Sequence, residues 1–273
     1  MDKIKITGCI VLYNNNIEEL QISINSILDI NIDMKIFLID NSPTDFLKKL
    51  DSDFRIEYIH NPSNPGFGKA HNIAIQKSII LGSKFHFVVN PDISFKGDII
   101  TTMITYMEKD KTIGMMMPQI LNLDGSVQNL PKLLPTPLSM FMRKVKFPKW
   151  YYKKIINKYE LRFISSDKIF NTPVLSGCFT LLNIKAIKEI GSYDDNFFMY
   201  FEDWDLSRRM HKKYKTIYFP KVCVYHGYDS GANKNRKLFK VFIKSAFTYF
   251  NKWGWFIDSE RSQINMNTLY RLK

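Results

Sequence analysis

Cysteine is scarce: Cys9, Cys178 and Cys223 are the 3 in 273 residues, odd in number and far apart. That excludes a disulfide framework and a cysteine-based zinc site, and it fits a reducing cytoplasm. Long apolar runs are missing too. No stretch nears the roughly 18 uninterrupted apolar residues of a membrane span. The opening MDKIKITGCIVLY lacks a small-residue cleavage site and reads as a first strand, not a secretory leader. Glycine is thin, with 12 residues. Neither the dinucleotide fingerprint nor the phosphate loop occurs, since both need glycines at other offsets. Acids are few at one end. Residues 208–273 hold 15 Lys and Arg against 3 Asp and Glu, and the other 207 hold 24 against 23. The net charge of +13 therefore belongs to the C-terminal quarter. Such a patch suits a polyanion or an anionic membrane surface.

What is present is a hydrophobic content of 45%, ample for a large core. IKITGCIVLY, MKIFLIDNS, FRIEYIHN and FHFVVNPD read as strands. IEELQISINSILD and GKAHNIAIQKSIILG between them have helical spacing. Strands alternating with helices, and apolar throughout, predict an α/β fold with a mainly parallel sheet covered on both faces. Ligands of such sheets bind outside the carboxyl ends of the strands. Polar clusters stand there: Tyr13-Asn14, Asp40-Asn41, residues 61–68, and Asn90-Pro91-Asp92. Residues 126–172 break the pattern with Pro131, Pro135, Pro137 and Pro148, and are expected to form a mobile, partly helical excursion that carries substrate contacts. A strand and helix resume at PVLSGCFTLLNIKAIKEIG, and KLFKVFIKSAFTYFNKWGWF closes the chain as a basic amphipathic helix.

Each candidate site residue has a plain structural reading beside a functional one. Asn90-Pro91-Asp92 is either a turn or a carboxylate placed to hold a divalent cation. Glu202, Asp203 and Asp205 follow the aromatic run FFMYF. Asp203 is either an N-cap or a base whose proton affinity is raised by its apolar neighbours. His226 ends a strand, as a structural imidazole or a metal ligand. Gly66 and Gly68 permit close backbone approach at a helix start. Asp40 either begins a turn or accepts a hydrogen bond from a nucleoside.

The order of IVLYNN, LIDNS, NPGFGKAHNIAI, VVNPDI, the long LSGCF to LSRRM segment and VYHGYDSG resembles the family 2 glycosyltransferases. The similarity is greatest to the rhamnosyltransferase-like branch of bacterial surface-polysaccharide synthesis. It covers roughly residues 4–230. The resemblance implies a GT-A fold, Rossmann-like, over residues 1–230, followed by a basic helical segment at 231–273. It implies inverting, Mn- or Mg-dependent transfer from a nucleotide-sugar, with dTDP-rhamnose first and a UDP-hexose or UDP-N-acetylhexosamine second. The acceptor implied is a polyprenyl-diphosphate-linked saccharide, met at the inner face of the cytoplasmic membrane during O-antigen or capsule synthesis. Carried over, Tyr13, Asn14 and Asp40 meet the nucleobase, and Gly66, Gly68 and Asn72 lie along the diphosphate. Asn90 and Asp92 form the metal motif, with Asn90 where many relatives have Asp. His226 joins Asp92 at the cation, Asp203 is the base, and Glu202 supports it. Three rivals are a nucleic-acid-binding module, a scaffold without catalysis, and a synthase that glycosylates polyprenyl phosphate itself.

Overall fold

The structure, a computed structural model, describes residues 6–227 and 235–272. Residues 228–231 of the VYHGYDSG motif lie outside the described residues. The N-terminal half follows the expected alternation: β1 (Ile6–Leu12), α1 (Ile17–Leu28), β2 (Met34–Asp40), β3 (Ile56–His60), α2 (Phe67–Ile80) and β4 (Phe85–Val89). A continuous apolar run makes β1 a strand buried on both faces, and only Val11 of its seven residues is partly exposed. The Asn16 side chain caps α1 by accepting from the backbone N–H groups of Glu18 and Glu19. Leu20, Ile24 and Ile27 of α1 then face the core. The sheet order β3-β2-β1-β4 is parallel throughout.

The second half extends the same sheet. β5 (Ile93–Ser94), α3 (Ile99–Lys109), β6 (Ile113–Leu121), β7 (Phe170–Asn171), β8 (Phe179–Asn183), α6 (Ile184–Ile190), α7 (Glu202–His211) and β9 (Lys215–His226) follow in the chain. β8 inserts antiparallel between β4 and β6, and β9 runs parallel to β6. Two reversals restore the first direction. β9 therefore points the same way as β1, β2 and β4. The start of β8 and the ends of β4 and β9 meet at one edge of the sheet, and that geometry creates the site.

Residues 126–172 pack against this core. They carry α4 (Pro137–Val145) and α5 (Lys149–Tyr159). Pro137 stands at the first turn of α4, where no backbone N–H is missed, and Thr136 and Ser139 form a reciprocal cap. Met140, Ile156, Tyr159 and Leu161 join the main core. The C-terminal helices are α8 (Arg236–Trp253) and α9 (Ser259–Leu272). α8 lays Ser245, Ala246, Tyr249 and Phe250 inward. Phe239, Ile243 and Phe247, four residues apart, remain exposed. Arg208 of α7 is 1% exposed. Its guanidinium donates to Asp258 at 2.8 and 2.9 Å and to Glu260 at 2.9 Å. It lies 4.1 Å from the Trp253 ring centre.

Candidate active site

The turn after β4 is real. Ile93 N–H donates to the Asn90 carbonyl at 3.3 Å, and Asn90 N–H donates to the Cys178 carbonyl at 2.8 Å. The same turn also faces a partner. β5 pairs antiparallel with the end of β9, Ile93 opposite His226. That register sets Asp92 beside the imidazole: Asp92 Oδ1 is 3.4 Å from His226 Nε2. Asn90 Nδ2 is 3.3 Å from the same nitrogen. His226 Nδ1 lies 3.1 Å from Gln128 Oε1, a contact that a protonated Nδ1 satisfies. With the proton on Nδ1, a neutral imidazole would present its Nε2 lone pair beside Asp92, the tautomer that ligates metals through Nε2.

These residues suit a hard cation. Two ligands bound at about 2.1 Å and at right angles stand about 3 Å apart, close to the Asp92–His226 spacing. A carboxylate with an imidazole is a donor set for Mn- or Mg-type ions. Among the described residues no group of three or more His, Cys, Asp or Glu could hold a metal. A cation here would share its remaining positions with water and phosphate, as Mg²⁺ commonly does.

The acid pair opens α7 in an unusual way. Tyr200 and Phe201 precede it with φ of 71° and 68°, the left-handed region. Phe201, not Asp203, occupies the capping position. Asp203 lies inside the first turn, so it does not serve as the N-cap. Its carboxylate accepts from Gly177 N–H at 3.1 Å and from Trp204 N–H at 2.9 Å. A Cβ on Gly177 would come within 3.3 Å of Asp203 Cβ. Burial raises the Asp203 pKa to about 6, against the pull of these N–H groups and of Lys132. Glu202 is more deeply enclosed, and its Oε2 has no hydrogen-bond partner among the described residues. Burial, and then the neighbouring Asp203, push its carboxyl well above the usual range. Asp205 is structural. It accepts from Trp253 Nε1 at 2.8 Å and Arg209 Nε at 2.8 Å, and so ties α8 to α7.

Asn90, His226, Glu202 and Asp203 line one cavity of about 460 Å³. Residues 126–172 supply much of the rest of its lining: Gln128, which contacts His226, and Lys132, Arg143, Lys144, Glu160 and Arg162. None of these six was singled out from the sequence. The only signal was the density of bases in an excursion expected to carry substrate contacts.

The remaining expected residues lie outside that cavity. Tyr13 is exposed at the end of β1, and Asn14 adopts φ of 51° and donates its N–H to Ser42 Oγ at 2.8 Å. Asp40 is fully buried. Its Oδ1 accepts from Ser42 N–H at 2.9 Å and its Oδ2 from the Tyr58 hydroxyl at 2.6 Å. Both oxygens are thus engaged inside the protein. Asn72 clamps the loop ahead of α7: its amide binds Tyr193 N–H at 3.0 Å, the Tyr193 carbonyl at 2.9 Å and Asp195 at 3.0 Å. The two glycines make room for the same loop. A Cβ on Gly66 would lie 2.1 Å from the Phe198 carbonyl oxygen, and one on Gly68 3.0 Å from Tyr193 Cβ. Gly66 also holds φ of 101°. Gly66→Ala is therefore expected to destabilise the fold by at least about 2 kcal/mol. A thermal melt within about 2 °C of wild type would refute this account of the loop.

Residues 8–191, over half the chain, match the family described as Glycosyl transferase family 2. The chain belongs to that family. The transferase is similar to the rhamnosyltransferase WbbL of Escherichia coli K12. They are 27% identical over 231 residues, 79% of this chain and 81% of that protein. It is also 28% identical over 142 residues to the N-acetylglucosaminyl-diphospho-decaprenol L-rhamnosyltransferase of Mycobacterium tuberculosis, spanning 51% of this chain and 45% of that one. Among solved structures, GalNAc-T7 with UDP, GalNAc and Mn²⁺ superposes with a TM-score of 0.61 at 18% identity, over 83% of this chain and 44% of that one. The Pyrobaculum calidifontis mannosyltransferase PcManGT, with GDP-Man and Mn²⁺, gives 0.56 at 12%, over 89% and 64%. The transferase thus has the GT-A architecture expected from its sequence, with a mostly parallel central sheet, and is rhamnosyltransferase-like. Among its described residues no helix is long and apolar enough to cross a membrane.

Proposed function

We propose that this chain transfers a sugar, L-rhamnose from dTDP-rhamnose, to a hydroxyl of a polyprenyl-diphosphate-linked saccharide, with inversion, in O-antigen or capsule synthesis. One observation carries the reading: a carboxylate with raised proton affinity, Asp203, shares a cavity with Asn90 and His226, at the edge where Asp92 stands. In the reaction Asp203 takes the proton of the acceptor hydroxyl. The acceptor oxygen bonds to the anomeric carbon as the bond from that carbon to the diphosphate oxygen breaks on the opposite face. The proton ends on Asp203 and the electron pair on the diphosphate. Glu202, enclosed behind Asp203, is a positioning residue. Asp92 and His226 would hold a divalent cation, which when bound would neutralise charge on the departing diphosphate.

The names of the relatives support rhamnose and a diphosphate-linked acceptor. Contact with an anionic membrane is supported by two exposed apolar stripes, Leu138, Phe141 and Val145 on α4 and Phe239, Ile243 and Phe247 on α8. Lys144 lies 5.4 Å from the Phe239 ring, which places the stripes side by side, and lysines flank both.

A thermal-shift panel of dTDP-rhamnose, UDP-glucose, UDP-galactose and UDP-N-acetylglucosamine, with and without Mn²⁺, tests this function. A ligand bound only by the folded state raises the melting temperature. The largest shift should come from dTDP-rhamnose with Mn²⁺. A larger shift with a UDP-sugar would replace the donor, and no shift with any of the four would sink the reading. Asp92→Ala should weaken donor binding in Mn²⁺ by about tenfold or more, a difference of about 1.4 kcal/mol. Unchanged manganese dependence in that variant would remove Asp92 from the cation site.

A further inference from the structure

The cavity wall supplied by residues 132–162 has no part in the chemistry just described, yet it is built from charge. Lys132, Arg143, Lys144 and Arg162 line it with a single acid, Glu160. Lys132 is 4% exposed. Its ammonium donates to the carbonyls of Asn129 at 2.9 Å and Leu130 at 3.1 Å. An ammonium has three donors. Among the described residues no acceptor takes the third. Burial lowers its pKa to about 8, and Asp203 is close enough to oppose that shift. Glu160, itself buried, lies 3.6 Å from Arg143 Nε and accepts from Arg162 Nε at 2.8 Å. One carboxylate thus splints two guanidinium groups. The Arg143 guanidinium also stands 6.0 Å from the ring centre of Trp204, the residue next to Asp203.

Lys132 is the enclosed cation of this wall, and the Arg143 and Arg162 side chains are 34% and 44% exposed, so the wall runs from a buried ammonium to guanidinium groups that solvent reaches. A buried ammonium is costly unless something of opposite sign meets it. The donor diphosphate belongs at the Asp92–His226 edge, so an anion on this wall comes from the other substrate. Two guanidinium forks held in place suit the paired oxygens of a phosphate better than a neutral hydroxyl. We propose that Lys132, Arg143 and Arg162 form an oxyanion subsite for the diphosphate that joins the acceptor sugar to its lipid. The proposal rests on the transfer reading above. It places the acceptor sugar between this wall and Asp203, so the charge that anchors the lipid carrier also orients the hydroxyl that reacts.

The test uses the full chain and one N-acetylglucosamine acceptor with three short tails: a prenyl diphosphate, an alkyl group, and an alkyl carboxylate. Binding is measured by calorimetry without donor, so it does not depend on turnover. Wild type is expected to bind the diphosphate compound about ten- to a hundredfold more tightly than the alkyl one. Arg143→Gln and Arg162→Gln should each remove about tenfold of that preference. They should raise KM for the diphosphate acceptor and change kcat little. Arg143→Lys should restore part of the loss. A melting temperature near wild type for each variant shows that the fold is kept. Equal binding of charged and alkyl compounds would overturn the subsite. So would equal binding of carboxylate and diphosphate, which would make the site one for acidic sugars. Transfer to prenyl monophosphate without a sugar would also overturn it, because phosphate would then be the nucleophile. Charge-dependent binding without transfer of any tested donor would keep the subsite and refute the transfer reading.

Discussion

Asp203→Asn is expected to lower turnover by about 10²- to 10⁴-fold, the usual contribution of a positioned general base, while nucleotide-sugar affinity changes little. The amide keeps the shape of the carboxylate, but its single oxygen can accept from only one of the Gly177 and Trp204 N–H groups, which donate to different oxygens of Asp203. It cannot take a proton from the acceptor. Steady-state turnover beside donor binding separates the two effects, and near-normal turnover would end the base assignment. The wild-type pH profile should agree. With Asp203 titrating at about 6, turnover falls as pH drops through that value. Stability should move the other way. The folded-state pKa lies above the ordinary carboxylate value of 3.8, so between about 4 and 6 the folded state binds more protons than the unfolded state. Stability is lost as pH rises through that window. At neutral pH, Asp203→Asn removes this cost but sets the amide NH2 against one of the two N–H groups, so the two effects offset and the melting temperature should stay within a few degrees of wild type, at about 2–4 °C for each kcal/mol of net change. A variant inactive and destabilised by more than about 3 kcal/mol would mean that the carboxylate serves the fold.

The second large effect is on stability. Arg208→Ala should cost about 3–5 kcal/mol, the range seen when one partner of a buried ion pair is removed. Asp258 is left almost fully buried, with Arg261 Nη1 3.8 Å away as its remaining ion-pair partner. Glu260 retains Lys212 at 2.7 Å, so Asp258 carries most of the loss. Removing the guanidinium also empties the space against Trp253, whose Nε1 holds Asp205 on α7. Denaturant unfolding measures the change. A loss below about 1 kcal/mol would show that α8 and α9 are held to α7 without a net contribution from Arg208.

Much of this layout was legible in the residues, because strand ends announce themselves. Apolar runs stopped by Asn90-Pro91-Asp92 and by His226 are enough to put both at one edge of a parallel sheet. Their contact was not legible. It depends on a two-residue strand, Ile93–Ser94, pairing with the end of β9, and two residues carry no periodicity. The reversal at β8 was hidden for a similar reason, since an apolar strand reads the same in either direction. α3 and β6 are less distinct in the sequence, although Ile99, Ile100, Met103, Ile104 and Met107 have helical spacing. Beyond them GMMMPQIL carries glycine and proline, which are depleted in strands, and no β-branched residue before Ile120. The basic wall could not be foreseen, because which face Lys132 or Arg143 presents is decided by how α4 and α5 fold back on the core. Gly66 was recognised as a point of close approach, but its neighbour Phe198 lies far along the chain.

The left-handed pair Tyr200 and Phe201 has a consequence for synthesis. Two such residues in succession disfavour their own backbone by about 1–2 kcal/mol each. Phe201 is kept there by rings that include Phe242, Tyr249 and Phe250, all from α8. Those rings are added to the chain some 40 to 50 residues after Asp203, roughly 2–10 s later at ordinary elongation rates. Until then they cannot hold the Tyr200–Phe201 turn, so the start of α7 is expected to settle only once α8 has been made.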